Sequence, residues 1–267
     1  MKQCLNKNDE IRIINYIGNN YYRCIYLYLD FKKFNKTNPN IKTWIQENED
    51  NEITCVILKY YTGLHIYSKD KDYDLEEISQ LIYSENPTMI CGEKKTIEDI
   101  YRFVYDNKYL IETGWVRELD AIESGDYNDV VPAQKNDFKQ IAKLLYEDED
   151  LGSSYELKDL EEQLYERNKE GYGRNYVIKD GDRVISHAAT GAEDDRLGML
   201  AYVITDPQFR GKGYAKKVCK SICQDLISEG KKVYLINYSN ESTALYDKIG
   251  FHVCCEWAKM YVDLKKD

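Results

Sequence analysis

Apolar and polar residues in the second half of the chain follow a pattern that switches between helical and strand spacing. Helical spacing predicts helices over Asn136–Tyr146 and Ser154–Lys169. Two runs with strand-like alternation follow at Asn175–Lys179 and Arg183–Ala189. They are separated by Lys179-Asp-Gly-Asp182, which is typical of a tight hairpin turn. This region is therefore predicted to fold as two helices followed by a β-hairpin.

Strands and helices continue to alternate toward the end of the chain. A strand is predicted at Gly198–Thr205 and a helix at Tyr214–Ser228, with Gly230 as its stop. The apolar stripe that predicts this helix consists of Ala215, Val218, Cys219, Ile222 and Leu226. The remaining predicted elements are a strand at Lys232–Asn237, a helix at Glu241–Ile249 ended by Gly250, and strands at Phe251–Cys254 and Trp257–Val262.

The first half of the chain has a similar but weaker order of elements. It predicts strands at Thr54–Lys59 and Gly63–Ser68, a helix at Leu75–Ser84, a strand at Thr88–Cys91 and a helix at Ile97–Asn107. This order echoes the second half and suggests a degenerate internal duplication. The polar, turn-prone stretch Glu123–Asp129 is the expected boundary, which gives domains at residues 1–125 and 126–267.

Composition narrows the possible function classes. The chain has 267 residues and a net charge of −10, which disfavours general nucleic-acid binding. No apolar run is long enough to span a membrane, and the polar segment Met1–Glu10 does not resemble a signal peptide, so we expect a cytoplasmic protein without membrane contacts. The eight scattered cysteines are expected to be reduced core residues. Abundant Ile, Lys, Asn and Tyr suggest a bacterial source with an AT-rich genome.

A glycine-rich turn is the strongest candidate for chemistry. The segment Gln208–Ala215 lies between a predicted strand and a predicted helix, and Gly211 and Gly213 would let its backbone present N–H groups to a diphosphate. Residues 210–232 contain seven basic and only two acidic side chains, which suggests a cationic lip for coenzyme A. The basic residues are Arg210, Lys212, Lys216, Lys217, Lys220, Lys231 and Lys232. A nucleotide-binding P-loop is discarded because its motif is missing.

Two segments of this half resemble the GNAT family of N-acetyltransferases. Gln208, Gly211 and Gly213 match the family's coenzyme motif, and Asn240 followed by Ala244–Phe251 is similar to its second motif. The spacing from Asn240 to the tyrosine is one residue shorter than usual. The resemblance covers about 140 residues, and the first half is similar to the degenerate copy in tandem GNAT proteins.

The resemblance implies an α/β fold with a mixed, splayed sheet flanked by helices, and acetyl-CoA as the cofactor. The thioester would enter between the strands at Gly198–Thr205 and Lys232–Asn237, and the backbone of Ala201–Ile204 would pair with the pantetheine amides. The first domain is expected to bind no coenzyme. Coenzyme contacts are expected from Ala201, Tyr202, Val203, Ile204, Gln208, Phe209, Arg210, Gly211, Lys212, Gly213, Tyr214, Ala215, Asn237 and Asn240.

The expected reaction is direct transfer of an acetyl group to a primary amine. By the resemblance, the hydroxyl of Tyr246 would reach the coenzyme sulfur and act as the general acid. Glu193 and His187 are candidates for the general base; the alternatives are a solvated loop carboxylate for Glu193 and a hydrogen-bonded structural role for His187. No metal ligands are expected.

The acceptor and the biological role stay open at this stage. The acidic run Glu147–Asp150 would favour a cationic acceptor such as a polyamine, an aminoglycoside or a lysine-bearing peptide, but it is also compatible with a solvated loop. The protein is expected to be a monomer or a homodimer. The alternative to an enzyme is a non-catalytic module of the same fold that binds acyl-CoA or a partner protein for sensing or regulation.

Overall fold

The computed structural model describes residues 1–4, 6–34, 40–104, 108–148, 151 and 156–262. The chain forms two compact units. The first comprises Met1–Val116 together with the C-terminal segment that begins at Cys254, and the second comprises Arg117–Val253. The polar stretch that suggested a boundary lies inside the second unit.

The first unit is built from short strands and helices in the order that the weak sequence pattern suggested. Its elements are β1 (Lys2–Gln3), α1 (Lys7–Ile17), α2 (Ile25–Phe34), β2 (Ile41–Glu47), β3 (Ile53–Tyr60), β4 (Gly63–Tyr67), α3 (Leu75–Glu85), β5 (Met89–Glu93) and α4 (Lys94–Val104). Strand β6 (Leu110–Leu119) carries the chain into the second unit.

The second unit repeats the same sequence of elements. They are β7 (Val130–Pro132), α5 (Phe138–Glu147), α6 (Leu157–Lys169), β8 (Asn175–Asp180), β9 (Arg183–Glu193), β10 (Leu197–Thr205), α7 (Tyr214–Ser228), β11 (Lys232–Asn237) and α8 (Asn240–Ile249). A single strand, β12 (His252–Tyr261), replaces the two closing strands that the sequence predicted.

Strand pairing is the same in both units, which confirms the internal duplication. In the first unit β1, β2, β3 and β4 pair antiparallel in order, and β4 then pairs parallel with β5. In the second unit β7, β8, β9 and β10 pair antiparallel, and β10 pairs parallel with β11. The end of β12 completes the first unit, where Trp257–Tyr261 pair antiparallel with β5.

Helix α7 packs on the sheet of the second unit through the predicted apolar stripe. Val218, Cys219, Ile222 and Leu226 are fully buried in one core cluster, while Ala215 is half-buried. Burial also raises the pKa of the Cys219 thiol, which makes it an inert core residue. The period of 3.6 residues therefore predicted this helix and its buried face correctly.

Among the described residues, no helix is both long enough and apolar enough to cross a lipid bilayer.

Gly92 gives a test of the parallel pairing in the first unit. It lies opposite Ile66, and a side chain at this position would overlap the backbone oxygen of that residue. We expect Gly92→Ala to lower the free energy of unfolding of this unit by about 1–3 kcal/mol. Tryptophan fluorescence during urea unfolding reports on the unit selectively, because Trp44, Trp115 and Trp257 all belong to it.

Gly63→Ala is the matched control for this substitution. The nearest atom to a side chain at Gly63 is the mobile end of Met89, 3.3 Å away, so the strands need not separate. Equal losses of stability in the two variants would contradict close backbone packing at Gly92.

Candidate functional site

Strands β10 and β11 pair over only part of their length. The parallel register runs from Leu197 opposite Lys232 to Leu200 opposite Leu235, and both strands continue beyond it. The next residues of β10, numbers 201–203, are partly exposed, whereas those on either side are buried. The sheet therefore has the divergence between these two strands that the family resemblance implies.

An irregularity in β10 lies at the start of this divergence. Ala201 pairs with Ala189 and Ile204 pairs with His187, so two residues of β10 oppose a single residue of β9. This two-against-one arrangement is a β-bulge. Within it Tyr202 has a φ of 54°, a left-handed conformation that a bulky residue rarely adopts.

A buried histidine holds the bulge. Nδ1 of His187 lies 2.8 Å from the backbone oxygen of Tyr202, and Nε2 lies 2.9 Å from the side-chain oxygen of Asn175. The ring is completely buried, and this burial lowers the pKa of His187 to about 4, against the opposing effect of the Tyr202 carbonyl. His187 is therefore neutral at physiological pH, and both of its ring nitrogens contact groups of the protein itself.

The position of the Tyr202 carbonyl also sets the direction of the next backbone N–H. In a trans peptide the C=O of one residue and the N–H of the following residue point in opposite directions. Because the Tyr202 oxygen points to His187, the N–H of Val203 points away from it. Val203 thus directs a donor away from the buried His187 within the partly exposed section of β10.

The glycine-rich turn follows β10 and leads into α7. Gly211 and Gly213 have φ values of 78° and 83°, and a side chain added at either would meet no atom within 4 Å. Gly213 is the N-cap of α7 and supplies no capping side chain. The first N–H groups of α7 consequently lack the usual cap and are available to an anion.

The side chains beside this turn are packed in a defined way. Gln208 lies in a short 3-10 turn whose N-cap is Asp206, and its N–H donates to the Asp206 carboxylate at 3.0 Å. The half-buried ring of Phe209 lies 5.0 Å from the Lys212 ammonium and packs against the α7 core, as does Tyr214. Arg210 donates to the Thr205 carbonyl at 3.1 Å. The structure thus brings the predicted residues Gln208–Ala215 together at one end of α7.

The seven basic residues of the sequence window do not form one lip. Helix α7 has 15 residues and is about 22 Å long. Arg210 and Lys212 lie just before its N-terminus, whereas Lys231 and Lys232 follow its C-terminus. Lys231 binds Glu193 at 2.7 Å, and Lys232 binds Glu118 at 2.7 Å. The length of α7 thus separates Arg210 and Lys212 from Lys231 and Lys232, and Arg210 also contacts the Asp148 carboxylate at 3.1 Å.

Tyr246 lies on α8 in the same core cluster as the last paired residues of β10 and β11. Its ring packs edge-on against Phe251 at 5.8 Å, and only 9% of the residue is exposed. Among the described residues none forms a hydrogen bond with its hydroxyl. Burial, with a further contribution from the nearby Cys219 and Cys223, raises the pKa of Tyr246, so the phenol keeps its proton at neutral pH.

Arg117 is a residue that the sequence analysis missed. It is buried at the end of β6 and donates to the side-chain oxygen of Asn237 at 2.8 Å and to the Asp247 carboxylate at 2.6 Å. The amide nitrogen of Asn237 donates to Thr243 at 2.9 Å. The Asn237 side chain therefore joins β11 to α8, while the side chain of Asn240 lies outside the described residues. Arg117 precedes the expected catalytic domain and belongs to no local motif.

Glu193 lies at the opposite end of β10 from the turn. It pairs with Gly198, which is about 10 Å along the strand from Ala201. Its carboxylate accepts hydrogen bonds from Arg174 and Lys231, both at 2.7 Å. Burial alone would raise the pKa of Glu193, but these two cations outweigh burial and lower it.

Two features of the described residues distinguish the first unit at the equivalent positions. Its helix α3 is capped by the Asp74 carboxylate, which accepts the N–H groups of Glu76 and Glu77 at 2.8 and 3.1 Å. By strand register, the buried Tyr67 takes the position that Ala201 has in the second unit. An acidic cap and a large side chain thus replace the open turn and the partly exposed strand.

Comparison with known proteins matches part of the second unit to a family model. Residues 138–251 match the model of the acetyltransferase (GNAT) family. No curated protein matches the sequence significantly. Solved structures with the same fold include a tandem GNAT protein from the clavulanic acid biosynthesis pathway, with 8% identity and a TM-score of 0.63 over 97% of this chain and 96% of the other.

Two further structures have the same fold over nearly the whole chain. A GCN5-related N-acetyltransferase from Sphaerobacter thermophilus has 13% identity and a TM-score of 0.63, covering 97% of this chain and 93% of that one. A GNAT-family acetyltransferase from Colwellia psychrerythraea has 12% identity and a TM-score of 0.59, covering 98% of each chain. Residues 138–251 therefore form a domain that matches the GNAT family model, in a chain whose fold is similar to that of a tandem GNAT protein.

Proposed function

We propose that the second unit transfers an acetyl group from acetyl-CoA directly to a primary amine. The observation that carries this proposal is the uncapped start of α7 behind two glycines in left-handed conformations. Such a helix start binds a diphosphate through backbone N–H groups and a partial positive charge. Arg210 and Lys212 would add side-chain charge for the coenzyme phosphates.

The rest of the coenzyme would extend from the turn into the gap between β10 and β11. Backbone groups of residues 201–204 would pair with the pantetheine amides, as an added strand does. The N–H of Val203 would then donate to the thioester carbonyl. A donor fixed in this position stabilises the negative charge that develops on the oxygen when the amine attacks.

Tyr246 would supply the proton for the leaving group. The neutral amine nitrogen forms a bond to the acetyl carbon, the carbon–sulfur bond breaks, and the phenol protonates the departing thiolate. The N–H proton that the nitrogen loses passes to solvent water, from which the phenolate regains its proton. A protonated phenol without an internal hydrogen bond suits this step, because its proton is not shared with another group of the described chain. Arg117, whose charge opposes the rise in the pKa of Tyr246, would favour the phenolate that briefly forms.

Glu193 fits a structural role better than that of a general base. Two cations already occupy its carboxylate and lower its pKa, which weakens it as a proton acceptor. Its position also separates it from the bulge by three residues of β10. We therefore assign it to the ion-pair network that joins β9 to the end of α7.

The acceptor class follows from the proposed chemistry and stays a prediction. A primary amine on a small molecule or a peptide is the expected partner, and the protein is expected to act as a monomer or a homodimer. A module that binds acyl-CoA without turning it over is the alternative, which calorimetry combined with an amine screen separates from the enzyme.

Gly211→Glu tests the coenzyme site. The new carboxylate would lie in the open space beside the proposed diphosphate, so we expect the dissociation constant for acetyl-CoA to rise about 100-fold or more. Isothermal titration calorimetry measures this constant, with coenzyme A lacking its ribose phosphate as a second ligand. Gly181→Glu is the matched control, because Gly181 also has a left-handed φ, 58°, and open space around it. Equal affinities in the two variants would refute the placement.

Tyr246→Phe tests the general acid. We expect kcat to fall about 100-fold while the dissociation constant for acetyl-CoA changes less than twofold. The melting temperature should not fall, because among the described residues no hydrogen bond to this hydroxyl is lost. Steady-state kinetics on an amine found by screening measures kcat, and an unchanged value would exclude the phenol as the acid.

Glu193→Gln separates the structural role from the catalytic one. We expect kcat within threefold of the wild type, but a loss of about 2 kcal/mol in the free energy of unfolding at pH 7. Because the native pKa of Glu193 is lowered, its stabilising effect is complete above the ordinary glutamate value of about 4.3 and disappears as the pH falls through the native pKa. Urea unfolding at pH 7 and pH 3 measures the difference.

Glu229→Gln is the control for this prediction. Glu229 contacts the same two cations but is 42% exposed, so its removal should cost less stability. A fall of kcat by 100-fold in Glu193→Gln alone would restore Glu193 as a catalytic candidate.

A further inference from the structure

We infer that His187 is a positioning residue for acetyl transfer, acting through the peptide bond that joins Tyr202 and Val203. This inference rests on the proposed function of the second unit. His187 does not touch the coenzyme in this scheme. It fixes the orientation of the Val203 N–H, which contacts the coenzyme in this scheme.

The hydrogen bonds of His187 determine its protonation. A backbone carbonyl can only accept, so the 2.8 Å contact with Tyr202 requires a proton on Nδ1. A neutral imidazole carries one such proton, and Nε2 must therefore accept a hydrogen bond from its partner. Asn175, 2.9 Å away, satisfies this requirement when its amide group is turned so that its NH2 faces the ring.

A second asparagine supports the first. The Asn175 side chain lies 3.3 Å from that of Asn168 on α6, and the turned Asn175 oxygen accepts a hydrogen bond there when the Asn168 amide is turned in the same way. His187 and Asn175 are 0% and 2% exposed, so water does not compete for these bonds. The series of the half-buried Asn168 and the buried Asn175 and His187 thus connects a helix to the carbonyl of Tyr202.

The bulge needs such a hold because its conformation is unfavourable on its own. Tyr202 has a φ of 54°, which crowds the Cβ atom against its backbone. Without a donor at its carbonyl, the peptide would lose the bond that opposes relaxation toward an ordinary strand conformation. Rotation of the peptide plane would turn the Val203 N–H together with the Tyr202 C=O, since the two groups are rigidly linked.

The same hydrogen bond explains why a histidine suits this site. From β9, its Nδ1 reaches the main chain of β10 at Tyr202, while its Nε2 reaches Asn175 on β8, beside the cross-strand pair of His187 and Val177. An aliphatic residue would fill the volume without donating. Asparagine would place an amide N–H near the position of Nδ1, and therefore offers a conservative replacement.

The experiment compares His187→Leu and His187→Asn in the full-length chain. Two coenzyme analogues that cannot transfer an acetyl group serve as probes. Acetyl-carba(dethia)-CoA keeps the carbonyl, and S-ethyl-CoA lacks it. Calorimetry gives both dissociation constants, and we expect the wild type to prefer the carbonyl-bearing analogue about tenfold. His187→Leu should reduce this preference to less than twofold without weakening S-ethyl-CoA, while His187→Asn should keep it.

Turnover gives the second measurement. We expect kcat to fall about 100-fold in His187→Leu and to stay within fivefold in His187→Asn, with the KM for acetyl-CoA little changed in both. Val177→Ala is the matched control, because Val177 is fully buried opposite His187. Its substitution makes a cavity in the same strand pair but keeps the hydrogen-bond donor of His187. It should lower the melting temperature but leave the preference for the carbonyl intact.

The outcomes separate this inference from the proposed function. An undiminished carbonyl preference in His187→Leu, or a loss of preference in Val177→Ala equal to that in His187→Leu, would overturn the role of His187. Equal binding of the two analogues by the wild type would also overturn it and leave the coenzyme site standing. A wild-type protein that binds neither analogue would overturn both.

Discussion

The requirement that backbone polar groups find partners explains the site in the second unit. Strand β10 separates from β11 after Leu200, although both strands continue. Backbone groups beyond that point lose their ladder partners on one side and need others. The bulge, the His187 hydrogen bond and the exposed section of β10 all lie in this short region. The proposed coenzyme would supply the missing partners as an added strand.

Two repeats with the same topology differ in whether this requirement is met internally. In the first unit the parallel pair ends at Ile66 and Gly92, as it does at Leu200 and Leu235 in the second, but β4 ends one residue later and Tyr67 is buried at the position of Ala201. The Asp74 carboxylate caps the following helix, whereas Gly213 leaves the corresponding helix start in the second unit open. The two units therefore differ in their capacity to bind a ligand. A few side chains either satisfy the hydrogen bonds of the backbone or leave its polar groups available to a ligand.

Buried charge keeps the second unit rigid around the open region. Arg117 holds the end of β11 and the middle of α8 through Asn237 and Asp247. At the other end of β10, Glu193 is neutralised by Arg174 and Lys231. Each group would be costly to bury alone, and each is stabilised by partners of opposite charge or by hydrogen bonds. These contacts fix the elements that carry the glycine turn and Tyr246.

The sequence by itself determined the features that depend on near neighbours. Helical spacing located α7 and its buried stripe, and the Asp-Gly turn located the hairpin of β8 and β9. The glycines at 211 and 213 marked the turn, and the resemblance to the second GNAT motif singled out Tyr246 as a candidate. Short-range periodicity and turn chemistry require no knowledge of distant residues, so these features could be found along the chain.

The tertiary structure alone decided which distant residues meet. Arg117 and Asn237 are 120 positions apart, and no local pattern pairs them. The place of Glu193 in the sequence suggested a general base. In the folded protein two cations, Arg174 and Lys231, contact its carboxylate and lower its pKa. The sequence placed Lys231 in the predicted cationic lip, but in the structure it follows the C-terminus of α7, a full helix length from the glycine-rich turn. Charge and burial depend on neighbours in space, and for these residues those neighbours come from elements far away in the chain.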